Sequence, residues 1–195
     1  MNEVTITITN RTTGERYKAK SYPDSDRDND GKIDYYYVPV FVTTISSESR
    51  TKTWKALRFM PYWNDPQSPS DNYKTKGFLT SGLHRYRRKA VSKYKATYGI
   101  HNRFSPFKGA IVIHDTFYIH AGPSHIGASG WGAAGCVEII GNFDKFKQDI
   151  RDLGGISNTV EADAAIADMV RKGKLYVEVK YAAPPTLSKI EVTKP

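Results

Sequence analysis

Only one cysteine occurs in the chain, Cys136, so no internal disulfide can staple the fold, and cysteine usage is compatible with either redox compartment. No run approaches the ~20 consecutive apolar residues of a membrane span. Residues 1–9 alternate polar and apolar side chains, with neither the basic start nor the apolar stretch of a secretion signal. Compact metal-binding pairs such as Cys-x-x-Cys or His-Glu-x-x-His are missing, as are internal repeats and low-complexity tracts. Acidic residues are outnumbered: 29 Lys and Arg stand against 20 Asp and Glu, for a net charge of +9. That balance implies attraction to a polyanion, whether nucleic acid, a wall polymer or an anionic membrane surface, and does not choose among them. A chain of 195 residues, 39% hydrophobic, can bury a sizeable core, and one soluble domain is the economical reading.

The lone thiol sits in Gly-Ala-Ala-Gly-Cys-Val-Glu-Ile, after His120 in Tyr-Ile-His-Ala-Gly. A solitary cysteine is either a small buried hydrophobe or a reactive group. Small residues at 132–135 let backbone approach a substrate closely, and Val137, Ile139 and Ile140 predict a buried strand. His120 ends a strand-like run before a Gly-Pro turn. A histidine and a cysteine on neighbouring strand ends are the minimum equipment for thiolate catalysis.

In order, spacing and local character, Tyr118-Ile119-His120 and Gly135-Cys136-Val137 resemble the motif of the L,D-transpeptidases, the YkuD-like cysteine enzymes that remodel bacterial peptidoglycan. The motif-bearing part spans 109–150, with a looser fit to 180. Three positions depart: Ala133 and Ala134 replace Ser/Thr and His, and Glu138 stands where the family usually carries Arg. The resemblance implies a β-rich α+β fold, a mixed sheet or sandwich with short helices, as one catalytic domain over 1–181 with an extended tail at 182–195. It implies acyl transfer on peptidoglycan stem peptides with no catalytic cofactor, Cys136 as nucleophile and His120 as base. Backbone N–H groups of Cys136 and of Gly135 or Ala134 would form the oxyanion hole. A main-chain oxygen near Ala121 or Gly122, or else Asp115, would orient the imidazole. Activation would make Cys136 alkylate at neutral pH faster than a model cysteine. Glu138, Trp131 and His125 are the expected substrate contacts, and the reversed charge at Glu138 favours an altered substrate. Action would lie in the bacterial cell envelope or periplasm, reached by a specialised secretion route, as for a wall-targeting toxin or lytic protein.

Asp26-Arg27-Asp28-Asn29-Asp30-Gly31-Lys32-Ile33-Asp34 matches the first nine positions of a calcium loop, with Asp26, Asp28, Asp30 and Asp34 as carboxylate ligands and Lys32 offering a carbonyl. Tyr37 replaces the closing glutamate, leaving Asp24 as a further carboxylate; the expectation is a structural calcium ion. Zinc held by His114, His120, His125 and Cys136 is a rival use of the same residues as the thiol site.

Patterning predicts a hairpin over 3–9 and 16–20, strands at 35–44 and 51–60 with Pro39 at an edge or bulge, and a loop at 64–72. It predicts a basic amphipathic helix over 83–95, a strand pair at 109–113 and 117–120, helices at 143–153 and 161–171, and a strand at 174–181. The alternative to an enzyme is a non-catalytic module that binds anionic polymer or nucleic acid through Arg85, Arg87, Arg88, Lys89 and Lys93.

Overall fold

The computed structural model describes residues 1–62, 85–99, 105–133, 135–187 and 189–190, and the backbone of 75–77. The loop expected at 64–72, the first residues of the 83–95 segment, Ala134 and the last five residues lie outside the described residues. The chain is a strand-rich mixed α+β fold.

β1 (Val4–Lys20) is one long strand where the sequence pattern gave a hairpin. Its polar centre does not reverse the chain. Both halves pair antiparallel with β2 (Tyr35–Ser47), and register shifts around Thr12 absorb the Asn-Arg-Thr-Thr-Gly turn signal as bulges. Pro39 lies beside the second shift, where a missing N–H costs least. β3 (Arg50–Leu57) continues the sheet, and β4 (Phe59–Pro61) pairs with β5 (Thr75–Gly77) as a separate ribbon. Arg58 breaks what the pattern read as one strand. Fully buried, it donates to the main-chain oxygens of Thr9 at 2.8 Å and Lys180 at 3.0 Å.

The basic stretch forms β6 (Tyr86–Ala90) and β7 (Tyr94–Lys95), not a helix. Tyr86, Ala90 and Val91 suit helical spacing, but pairing of β6 with β11 (Leu175–Val179) overrides that local pattern. β8 (Ala110–His114), β9 (Phe117–Ala121) and β10 (Val137–Ile140) complete the sheet, in the order β6-β11-β1-β2-β3-β10-β9-β8-β7. The two outermost strands, β6 and β7, are joined by Val91–Lys93 alone, so the sheet curls until its edges are bridged. The Val91 N–H reaches Leu175 O on one edge, and the Val112 N–H reaches Lys93 O on the other.

Period-two alternation gives each strand two faces. Val4, Ile6, Ile119, Val137, Ile139 and Val177 form the larger core with α1 (Phe143–Leu153) and α2 (Ala162–Arg171). Asn142 caps α1 by accepting from the Lys145 N–H. A second apolar cluster contains Tyr17, Ala19, Val38, Val40, Leu57 and Ile140. Parity along β10 sets Ile140 and Glu138 opposite to Val137 and Ile139, so this cluster marks the face turned away from the helices. Among the described residues after Val179, Ala182 is buried, and the Ile190 N–H donates to Tyr35 O at 2.7 Å. No helix among the described residues is long and apolar enough to cross a membrane.

Candidate active site

β9 and β10 run parallel, with Val137 opposite Ile119 and Glu138 opposite His120. Registered partners share a face, and so do residues two apart. Tyr118, His120 and Glu138 therefore project from the face away from the helices. Cys136, one residue before β10, continues that alternation opposite Tyr118. Tyr98 confirms the grouping: its ring centroid lies 5.1 Å from that of Tyr118 and 5.6 Å from that of His120. Its phenol is pushed up to about 12 by burial and by the neighbouring Cys136, Tyr118 and Glu138. Continuing that register, cysteine and histidine stand two residues out of register on adjacent strands, a diagonal neighbour relationship on one face.

His120 is only 2% exposed, and its Nδ1 lies 2.8 Å from Ala121 O. A carbonyl only accepts, so Nδ1 carries the proton and Nε2 holds the lone pair. This is the main-chain orienter expected near Ala121. Asp115 instead pairs with His114 Nδ1 at 2.9 Å.

Gly135 has φ +108°, and a Cβ there would come within 2.5 Å of Phe117 Cε1. Both facts require glycine immediately before the thiol. Cys136 is half-buried, with Sγ 3.9 Å from Thr116 O. Burial pushes its thiol up, a backbone hydrogen bond from Tyr118 opposes that, and the Glu138 carboxylate adds a smaller upward push. Both leading influences on the thiol come from its position just before β10, beside β9. Burial is thus the main reason that the resting thiol is hard to ionise.

Glu138 is 5% exposed and lines a small pocket with Trp131, Tyr17 and Pro123. His125 is exposed in the preceding turn and does not line that pocket. Lys95 and Tyr98, which the sequence reading did not assign, also belong to the site. Lys95 Nζ donates to Tyr118 Oη at 2.7 Å and lies 4.3 Å from that ring's centroid. The helical reading of 83–95 hid Lys95, since only the strand reading carries this segment toward β8.

The acidic loop gathers Asp26, Asp28 and Asp30, whose carboxylates can approach within 4.8 Å of one another. Asp34 is not in that group. Its carboxylate is buried, accepts from the Arg27 N–H at 3.0 Å and pairs with Lys189 Nζ, which also reaches Asp28. The Asp26 carboxylate accepts from the N–H groups of Asp30 and Gly31, while Asp24 accepts from the Asp26 N–H. The Lys32 ammonium pairs with Asp30. Two lysines thus supply positive charge where the sequence reading set a metal. Among the described residues, no histidine–cysteine group gathers as a metal site. No family model matches the sequence, and neither a curated protein nor a solved structure matches it.

Proposed function

We propose that the chain is a cysteine acyl-transfer enzyme of L,D-transpeptidase type acting on peptidoglycan stem peptides. The observation that carries this reading is that Cys136, one residue before β10, stands beside the strand that carries His120, whose Nδ1–H is fixed on Ala121 O. That hydrogen bond commits the proton-accepting Nε2 to the rest of the site. Because the resting thiol is held protonated, proton transfer accompanies attack instead of preceding it.

In the acylation step, Nε2 takes the Sγ proton as sulfur bonds to the substrate carbonyl carbon. The tetrahedral oxyanion then collapses, the carbon–nitrogen bond breaks, and the imidazolium returns the proton to the departing amine. In the second step an amine or water attacks the thioester, His120 accepts its proton, and the thiol leaves protonated. An amine acceptor gives a crosslink or exchange, and water gives hydrolysis. The N–H groups of Gly135 and Cys136 are the proposed oxyanion donors.

Incubating the protein with peptidoglycan and weighing the muropeptides by mass spectrometry tests the reading. New or shortened stem peptides, together with an acyl mass on Cys136, are expected. Full turnover by Cys136→Ala would overturn it.

A second reading, a non-catalytic polyanion-binding module, draws on a groove lined by Arg11, Arg85, Arg87 and Lys180 beside Glu178 and Tyr181. Arg88 is not part of it. Arg88 pairs with Glu3 at 3.0 Å and covers the Tyr176 ring at 3.5 Å.

A further inference from the structure

Away from the thiol, one face of the β1–β2 pair carries a row in which cations and aromatic rings alternate. Beyond the bulges the two strands pair regularly, Arg16 with Pro39, Lys18 with Tyr37 and Lys20 with Tyr35. Tyr17, Ala19, Val38 and Val40 turn into the second apolar cluster. By period-two alternation, Arg16, Lys18 and Lys20 therefore share the outer face with Tyr35 and Tyr37. Arg16 and Lys18 each lean diagonally onto the next ring of β2. Arg16 Cζ lies 5.2 Å from the centroid of Tyr37, and Lys18 Nζ lies 4.2 Å from that of Tyr35. Lys20 Nζ closes the row, 5.5 Å from the Trp131 ring of the neighbouring loop.

A ring orders a cation without neutralising it. These long side chains have given up part of their rotamer freedom before any partner arrives, yet they keep their charge. The carboxylates nearest in sequence are committed elsewhere: Glu15 pairs with Lys55 at 2.8 Å, and Asp34 pairs with Lys189. Successive cations follow the strand at roughly 7 Å, two residues of rise. That repeat suits an extended polymer with one negative charge per unit, and the net charge of +9 favours its approach. The rings narrow the class further. Tyr37 is 43% exposed and keeps open surface beside Arg16. A groove of about 460 Å³ runs from these two past Pro39 to Leu187, within the size range of ligand clefts. A ringless polyphosphate would engage the cations and leave the rings idle, whereas bases on a sugar–phosphate chain engage both.

We propose that this row docks single-stranded nucleic acid, with phosphates on Arg16, Lys18 and Lys20 and bases stacked on Tyr37 and Tyr35. This binding is additional to acyl transfer at Cys136 and independent of it.

Fluorescence anisotropy of the full chain, with a short labelled oligothymidylate and an abasic strand of equal length and charge, tests the row. Thymidylate should bind at least about tenfold tighter than the abasic strand, the scale of one stacked base. Tyr37→Leu should shrink that preference. Arg16→Gln with Lys18→Gln should flatten the dependence of log affinity on log salt by about 0.7 per cation removed. Crosslinks from a bromouracil-bearing strand should fall on Tyr35 or Tyr37. Arg85→Gln with Arg87→Gln, in the separate basic groove, should leave the preference for thymidylate unchanged. Equal affinity for the two strands would mark a site for polyanions in general and overturn the proposal. So would crosslinks confined to other residues, or no thymidylate binding at low salt. The wild-type comparison and the crosslinks stand even if a variant fails to fold. Cys136→Ala should bind as wild type does, so failure of the acyl-transfer reading would leave this result untouched.

Discussion

Glu138 faces His120 across the parallel strands β9 and β10, so a carboxylate and an imidazole share the face from which Cys136 projects. Burial of the thiol opposes its ionisation and the Glu138 carboxylate adds a smaller push in the same direction, so the Cys136 pKa is raised. The free protein should therefore alkylate with iodoacetamide more slowly at pH 7 than a free cysteine, and its rate should still be climbing at pH 9. Glu138→Gln removes only the smaller electrostatic part and should speed alkylation slightly at pH 7–8, leaving it slower than that of a free cysteine because burial remains. A wild-type rate that plateaus near neutrality would show a preformed thiolate instead.

Removing the base separates chemistry from packing. His120→Ala should lower turnover by roughly two to four orders of magnitude, the range for loss of a positioned general acid–base. Cys136→Ala should abolish turnover while moving the melting temperature little, since the thiol is half-buried and small. If His120→Ala retains turnover within a few-fold of wild type, His120 is not the base.

Much of this site was legible because its signals are local. Cys136, Gly135 and His120 lie next to strand ends whose apolar alternation is strong, and β8, β9, β10, α1 and α2 follow that pattern closely. What was not legible depends on pairing partners far away in sequence. Residues 10–14 read as a turn until β2 proves long enough to pair with both halves of β1. Residues 86–90 fit a helix until β11 recruits them as an edge strand. Tyr17 and Glu138 come together across a long sequence separation, so no spacing rule exposes their pocket. Lys189 as counter-ion to Asp34 was equally hidden, because the tail's path along β2 has no periodic signature.

Three tyrosines make stability fall in alkali. Burial is the leading cause that raises Tyr17, Tyr94 and Tyr98, with Asp163 adding a hydrogen bond at Tyr94. A raised folded pKa gives stability that is complete below the unfolded value of about 10 and is lost as pH rises toward the folded one. Arg58, pulled down to about 10 by burial, acts in the opposite sense, but it is one group against three. The melting temperature should therefore decline between about pH 10 and 12, less steeply in Tyr98→Phe. A wild-type melting temperature that holds to pH 12 would contradict the burial of these phenols.

The basic groove makes its own prediction. Binding of a soluble anionic polymer there should weaken as salt rises, by counter-ion release and screening. Arg85→Gln with Arg87→Gln should weaken it further, whereas Arg88→Gln should not, because Arg88 is committed to Glu3 and Tyr176. Salt-insensitive binding that survives the Arg85/Arg87 double change would leave these side chains as charges that merely guard an exposed sheet edge against further pairing.

The last prediction concerns the charge that balances the acidic loop. Lys189 is the cation for a buried Asp34 and for Asp28; burial alone would lower its pKa, but these two carboxylates more than offset that and raise it. Lys189→Ala leaves the Asp34 carboxylate buried without that ammonium and should cost about 1–3 kcal/mol. The lower end reflects the solvent that still reaches Lys189. Asp34→Asn should largely suppress that cost, because a neutral amide no longer needs the lysine, and a double-mutant cycle reads the coupling directly. Calcium enters the same equilibrium. If Asp26, Asp28 and Asp30 take the ion, millimolar calcium should raise the melting temperature of metal-stripped Lys189→Ala more than that of wild type, since the ion replaces the missing charge. Equal melting of Lys189→Ala with and without calcium would leave the loop held by its lysines and backbone hydrogen bonds alone.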